Sequence, residues 1–317
     1  MESVFDRWSA KLKAIPPRVV IAGKLSFSLA AITIVGMTVD WHTAAKNLDG
    51  LILPILAGMA FMLPALMVTA LRWKLIIGTE TPRHFSFLAA MRGWGLSIFV
   101  NLVVPGMVGG DAARAHYSSV SANIGYPRAL AVVFTERLFG LFSICLLAAI
   151  GVVLNRNLDR FTQIPAADLT IGLVVAGAVI LVGVILIRRH AHIPLALFPL
   201  LLLLSGLGQS SDFVLVHFYG RAVSVDIPLD TLLLVVPLVF LASAIPLTPG
   251  GLGVREATLT GLLTIAGIPI GQAALVALML LITKVGFGLA CGFALLNGSA
   301  LPARQLKSLM TMRRPSG

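Results

Sequence analysis

The stretch VVPGMVGGDAARAHYSSV, Val103 to Val120, decides how this chain is built. It places one proline, three glycines, an aspartate, an arginine and a histidine inside a 317-residue sequence that is 58% hydrophobic and 12% charged. Soluble domains carry about 25% charged residues, and the mean hydropathy here is +0.97. Apolar runs recur at Val19–Val39, Leu51–Leu71, Ala129–Leu154, Leu169–Ile187, Ile193–Val216 and Ala273–Leu296. Each reaches the roughly 17–25 residues that a helix needs to cross the hydrocarbon core. The composition therefore predicts an all-α polytopic membrane protein, formed as a single transmembrane domain over 1–317. The first run follows Arg18 without a small-x-small cleavage site, so it reads as an anchor rather than a signal peptide.

Basic residues sort the loops. Fourteen lie on one set: Arg7, Lys11, Lys13 and Arg18, then Arg72, Lys74 and Arg83, then Arg128, Arg188 and Arg189, and finally Arg304, Lys307, Arg313 and Arg314. The other set holds four, Lys46, Arg156, Arg160 and Arg221. That bias predicts both termini in the cytoplasm. It also forces a reading of the opening stretch. The chain is cytoplasmic at Arg83 and again at Arg128, yet the apolar part between them, Leu96–Met107, is only 12 residues long. Irregular backbone at membrane depth survives only inside protein or along a cavity. The stretch is thus expected to be the tip of a re-entrant helical hairpin.

A second stretch, AIPLTPGGLGVREATLTG (Ala244 to Gly261), repeats the pattern. PGMVGGDA (Pro105–Ala112) and PGGLGVRE (Pro249–Glu256) share P-G-x-x-G-x-charged at an offset of 144 residues. Each is preceded by two spans and followed by one, and the second series starts on the outer side. The expected architecture is two inverted repeats, about 1–160 and 161–317, each of three transmembrane helices plus a hairpin, giving six to eight crossings. Such symmetry points to a secondary transporter with its substrate site between the repeats. Thr231–Ile268 fits either a re-entrant hairpin or a pair of full crossings.

Ionisable groups inside the membrane cost about 2.5–3.5 kcal/mol on insertion scales, so their presence suggests a use. The candidates are Asp111, Arg114, Glu136, Arg137, Arg255, Glu256 and Lys284. Glu136 and Arg137 point about 100° apart on a helix and need separate partners, whereas Asp111 and Arg114 share a face. One reading makes all of these structural ion pairs that pin hairpins to helices. The other makes them a substrate site. A helix starting after each glycine-rich tip would aim free N–H groups at an anion, and Arg114 and Arg255 would fork onto phosphate oxygens. Asn101 would hydrogen-bond at the same place or cap the backbone. At the tips stand Pro105, Gly106, Gly109 and Gly110, then Pro249, Gly250, Gly251 and Gly253. A bulky residue at Gly110 or Gly250 is expected to reduce function more than folding.

Other features carry less. The histidines lack metal-ligand spacing beyond HAH at His190 and His192, and no metal or cofactor is expected. Cys145 and Cys291 lie in apolar runs and predict no disulfide framework. Gly288 and Gly292 form a helix-packing pair. There is no P-loop, HExxH or nucleophile elbow. The basic residues are dispersed at segment ends, which excludes a nucleic-acid signature.

NLVVPGMVGGDAAR, ERLFGL (Glu136–Leu141) and AIPLTPGGLGVREA resemble the membrane domain of the lysylphosphatidylglycerol synthetase/flippase family, over essentially the whole chain. The resemblance implies a bacterial inner-membrane protein that flips lipids between leaflets. It carries over to Asn101, Pro105, Gly110, Asp111, Arg114, Glu136, Arg137, Pro249, Gly250, Gly251, Gly253, Arg255 and Glu256. Only 21 residues follow Leu296, so synthesis of aminoacyl-lipid is not expected. The leading expectation is a translocase for an anionic phospholipid or related amphipathic lipid, driven through a carboxylate such as Asp111 or Glu136 or running downhill. The alternatives are an integral-membrane lipid-modifying enzyme using Asp111 and His116, or a non-catalytic subunit beside lipid-biosynthesis enzymes. Membrane lipids are the expected partners, with a homo-oligomer or those enzymes as further ones.

Overall fold

The computed structural model describes residues 17–39, 41, 44, 48–81, 84–103, 108–154, 182–185, 187, 193–244, 248 and 251–297. Nine α-helices and no strand occur among them: α1 (Pro17–Met37), α2 (Leu48–Gly78), α3 (Phe87–Val103), α4 (Val108–Ser121), α5 (Tyr126–Leu154), α6 (Phe198–Ala222), α7 (Leu229–Ala244), α8 (Val254–Ile265) and α9 (Ile270–Asn297). Proline opens α1 and stands next to the start of α6, where the missing N–H costs no helix hydrogen bond.

Length divides the helices into two kinds. Helices α2, α5, α6 and α9 are long and apolar enough to cross a membrane. With 25 to 31 residues each, they extend about 38–46 Å. The arms of the two hairpins, α3/α4 and α7/α8, have 17, 14, 16 and 12 residues. At 1.5 Å per residue they extend about 18–26 Å, short of a hydrocarbon core of about 30 Å. Most of the expected span Leu169–Ile187 lies outside the described residues.

Packing exchanges elements between the two halves of the chain. Helix α5 runs against α7, and α9 runs against α3, while α2 and α6 pack on each other. Gly288 and Gly292 of α9 make the α9–α3 crossing close. Added Cβ atoms there would stand 2.5 Å from Leu102 and 2.3 Å from Phe99. At the chain ends of the first hairpin, Arg128 pairs with Glu80 at 2.6 Å. At those of the second, Gln272 reaches the Val223 carbonyl at 3.3 Å. The far end of α5 meets the start of α7, where Gly151 lies against the Leu233 backbone.

The distribution of polarity is the reverse of a water-soluble protein. Val153, Leu53 and Phe293 are exposed, whereas Arg72, Arg114, Glu136, Asp212 and Glu256 are buried. Charged side chains are buried almost only when paired. Here the apolar exterior suits lipid and the pairs lie within.

Candidate functional site

Helix α5 brings the adjacent Glu136 and Arg137 to two faces, and each meets a different partner. Glu136 turns inward. Its Oε1 accepts a hydrogen bond from Arg72 of α2, and its Oε2 accepts one from Arg114 of α4 at 2.9 Å. Arg72 extends the link to α6, donating to Ser205 Oγ at 2.6 Å. Arg137 donates to Asp111 Oδ2, and Asp111 Oδ1 lies 3.4 Å from Arg114. The Arg114 guanidinium also sits 4.0 Å above the Trp94 ring and 5.2 Å from that of Trp73. A cation over an indole face gains roughly 0.5–2 kcal/mol, more as water is excluded.

The second half of the chain repeats the device with the signs exchanged. In the first half an arginine on α2 meets a glutamate on α5. In the second, Asp212 on α6 meets Lys284 on α9 at 2.5 Å. Arg255, in the first turn of α8, pairs with Glu256 at 2.8 Å, and Lys284 lies 5.7 Å from the Phe240 ring.

These groups surround one cavity of about 620 Å³. Arg72, Arg114, Glu136 and Arg137 face it from the first half, and Asp212, Arg255 and Lys284 face it from the second. Asn101 is also in its wall, and α5 supplies an apolar side with Phe134, Leu138, Leu141 and Ile144. Among the described residues, no three His, Cys, Asp or Glu are grouped to hold a metal ion. Residues 19–292 match the family model described as the lysylphosphatidylglycerol synthase TM region. The chain belongs to that family. No curated protein and no solved structure matches it. In this member of the lysylphosphatidylglycerol synthase TM family, most of the charges named from the sequence converge on a single interior space.

Several expectations need correction. Arg72 is not a loop charge: α2 continues to Gly78 and carries Arg72 into the core. Asp212, which the sequence hides inside the apolar run Ile193–Val216, faces the cavity. With these two added, the candidate set among the described residues has five cations and four carboxylates rather than four and three. The helix N-termini are also less available to an anion than the glycine pattern suggests. Gly110 N–H donates to Asn101 Oδ1 at 2.9 Å, and Gly253 N–H donates to Glu256 Oε2 at 2.6 Å. Asn101 thus caps α4, and Glu256 closes the first turn of its own helix. Asp111 and Glu256 stand behind the cavity wall as partners of arginines.

The tips divide in the same way. Pro105, Gly106, Pro249 and Gly250 lie outside the described residues, as do His190 and His192. Gly109 is in the first turn of α4. Gly251 and Gly253 have φ of +76° and +86°, the left-handed region that favours glycine.

Proposed function

We propose that the protein is a secondary lipid translocase that moves an anionic phospholipid, or a related amphipathic lipid, between the leaflets of a bacterial cytoplasmic membrane. The observation that carries this reading is the cavity. A space of about 620 Å³ faced by five cations, within helices whose outer surface is apolar, suits a phosphate headgroup whose chains stay in lipid. Arginine recognises phosphate through paired N–H donors. Membership of the family supports a role in lipid handling. Arginines engage both oxygens of Asp111, the base that a lipid-modifying enzyme would need, which favours transport over chemistry.

The same reading takes the halves as inverted repeats with re-entrant hairpins and places both termini in the cytoplasm. Three observations support it. All four hairpin arms are shorter than the hydrocarbon core. The Glu80–Arg128 pair keeps the ends of the first hairpin together, as the Gln272–Val223 contact does for the second. Because α5 starts at the first of these places and its end meets the start of α7, the two hairpins open at opposite ends. With Cys145 and Cys291 replaced, a single cysteine at Asp226 should react with an impermeant thiol reagent from outside intact cells. One at His190 should react only after lysis, and labelling of His190 from outside would sink the inverted arrangement.

Transport is tested in proteoliposomes with a fluorescent anionic phospholipid in one leaflet. Arg137→Gln is the informative variant, because its side chain is 40% exposed and Asp111 keeps Arg114 when it is removed. A charge-assisted hydrogen bond contributes about 1.5–3 kcal/mol, so lipid movement should fall roughly tenfold to a hundredfold while thermal stability changes little. Arg255→Gln should act in the same direction. Wild-type protein that moves no lipid faster than empty vesicles would overturn the proposal.

A further inference from the structure

The carboxylates of the cluster are held in two ways. Glu136 sits between Arg72 and Arg114, Asp111 between Arg114 and Arg137, and Glu256 between Arg255 and the Gly253 N–H. Each of these has both oxygens engaged. Asp212 has one partner: Lys284 takes Oδ2 at 2.5 Å, and no described residue donates to Oδ1. The partners also differ in kind. Arginine stays charged and grips in a fixed plane, whereas a lysine ammonium is a rotatable point charge on a flexible stem. Asp212 is therefore the carboxylate whose cation can leave by a change of rotamer.

Two spaces meet at this pair. Asp212 and Lys284 line the large cavity. Asp212 also borders a second space of about 10 Å³ among α6, α7, α8 and α9, which it shares with Arg255 and Phe240. That is room for one water-sized group, and it lets the carboxyl turn once Lys284 has left. Around the pair, α2 presents Arg72, α5 presents Glu136 and Arg137, and α8 presents Arg255 and Glu256. Helix α7 carries Asp230 in its first turn and lines the small space with Val236, Val239 and Phe240. Further along α6, the Ile227 carbonyl meets His217, the Thr283 hydroxyl meets Tyr219, and Asp226 meets Arg221.

We propose that the translocase moves its anionic lipid together with a proton, which Asp212 carries while Lys284 turns from Asp212 to the lipid phosphate. This rests on the translocase reading and adds its energy source. A buried charge that loses its partner is costly. Lipid without the proton leaves Asp212 bare, and the proton without lipid leaves Lys284 bare. Taken together, they leave neither. The proton comes from water on the side to which the cavity is open, adds to the Asp212 carboxylate, and returns to water when the lipid leaves and Lys284 swings back. No other covalent bond forms or breaks, and a phosphodiester with one proton crosses without net charge.

The test uses the full chain in phosphatidylcholine vesicles with a trace of phosphatidylglycerol labelled on an acyl chain. A gradient of one pH unit is imposed with the membrane potential clamped at zero. One proton per lipid then sets a leaflet ratio of about tenfold in favour of the alkaline side, and reversing the gradient reverses it. This ratio is independent of how much protein is active. Asp212→Asn should still spread the label, at whatever rate, to a ratio of about one. If that variant does not fold, Asp212→Asn with Lys284→Met removes both charges, leaves no ion bare and should give the same ratio. A tenfold ratio kept by a variant would put the proton on another group and overturn the assignment, and so would label that no folded variant moves. Wild-type label that moves faster than in empty vesicles yet settles evenly would overturn the proton and leave the translocase reading standing. Accumulation on the acid side, or a ratio set by membrane potential alone, would overturn the charge exchange. No movement by the wild type would overturn both readings.

Discussion

Glu136→Gln is expected to destabilise the protein by about 3–5 kcal/mol, the scale seen when one member of a buried ion pair is removed. One carboxylate serves arginines from two other helices, so its loss leaves Arg72 and Arg114 with uncompensated charge. Arg114 retains Asp111 at 3.4 Å, but Arg72 retains only a neutral hydroxyl at Ser205. Glutamine keeps the shape and one acceptor oxygen, which isolates the effect of charge from that of packing. Arg72→Met should cost a similar amount. The double variant restores the charge balance of the core and should recover more than half of the summed loss. Thermal unfolding in detergent of the four proteins measures this coupling. Strictly additive losses would mean that Arg72 and Glu136 do not pair.

Two alanines in and beside α8 should act in opposite directions. At Gly253 φ is +86°, and an added Cβ would stand 2.8 Å from the Ser28 carbonyl oxygen and 2.9 Å from Ala31 Cβ on α1. Left-handed backbone costs a non-glycine residue about 1–2 kcal/mol, and overpacking adds about 1–3. Gly253→Ala is thus expected to lose about 2–5 kcal/mol, and with it the docking of α8 on α1. At Gly261, within α8, a Cβ meets nothing within 4 Å, so alanine there should gain about 0.5–1 kcal/mol from helix propensity. Comparison of unfolding midpoints checks both signs. A neutral Gly253→Ala would mean that α8 does not press on α1. The same geometry revises the expectation at Gly110, where a Cβ would lie 2.4 Å from the Ser97 backbone oxygen. Bulk at that position forces α3 and α4 apart, so it damages the fold before it can obstruct a substrate.

The glycine-proline pattern in the sequence places both hairpins, because a helix that restarts at Val108 or Val254 needs a break before it and little else. The adjacent Glu136 and Arg137 also announce two partners, since neighbours on a helix cannot share one. Which partners they take is not written locally: Arg72 is 64 residues from Glu136, and the pair exists only because α2 and α5 run side by side. Arg72 is misread because LRWK resembles the basic flank of a span, and the charge rule treats every such arginine alike. Asp212 escapes because GQSSDF dilutes one carboxylate among small and apolar residues. For Arg72 the deciding information is the length of the helix. That depends on packing against other helices rather than on the residues at its end.

The fork at Glu136 has a mechanical consequence. By tying α2, α4 and α5 through charges, it makes them a stiff block, since separating any of them means breaking a buried ion pair at about 3–5 kcal/mol. Across to α6 the block is joined by two hydrogen bonds to neutral acceptors, from Arg72 to the Ser205 hydroxyl and from the Gln209 amide to the Gly140 carbonyl of α5, and water replaces the first of them for about 1.5–3 kcal/mol. Among these polar links, the ones to α6 carry no charge on the acceptor side and are the first to yield. Helix α6 can therefore part from the block along a seam at Ser205 and Gln209 while the charges on either side stay paired.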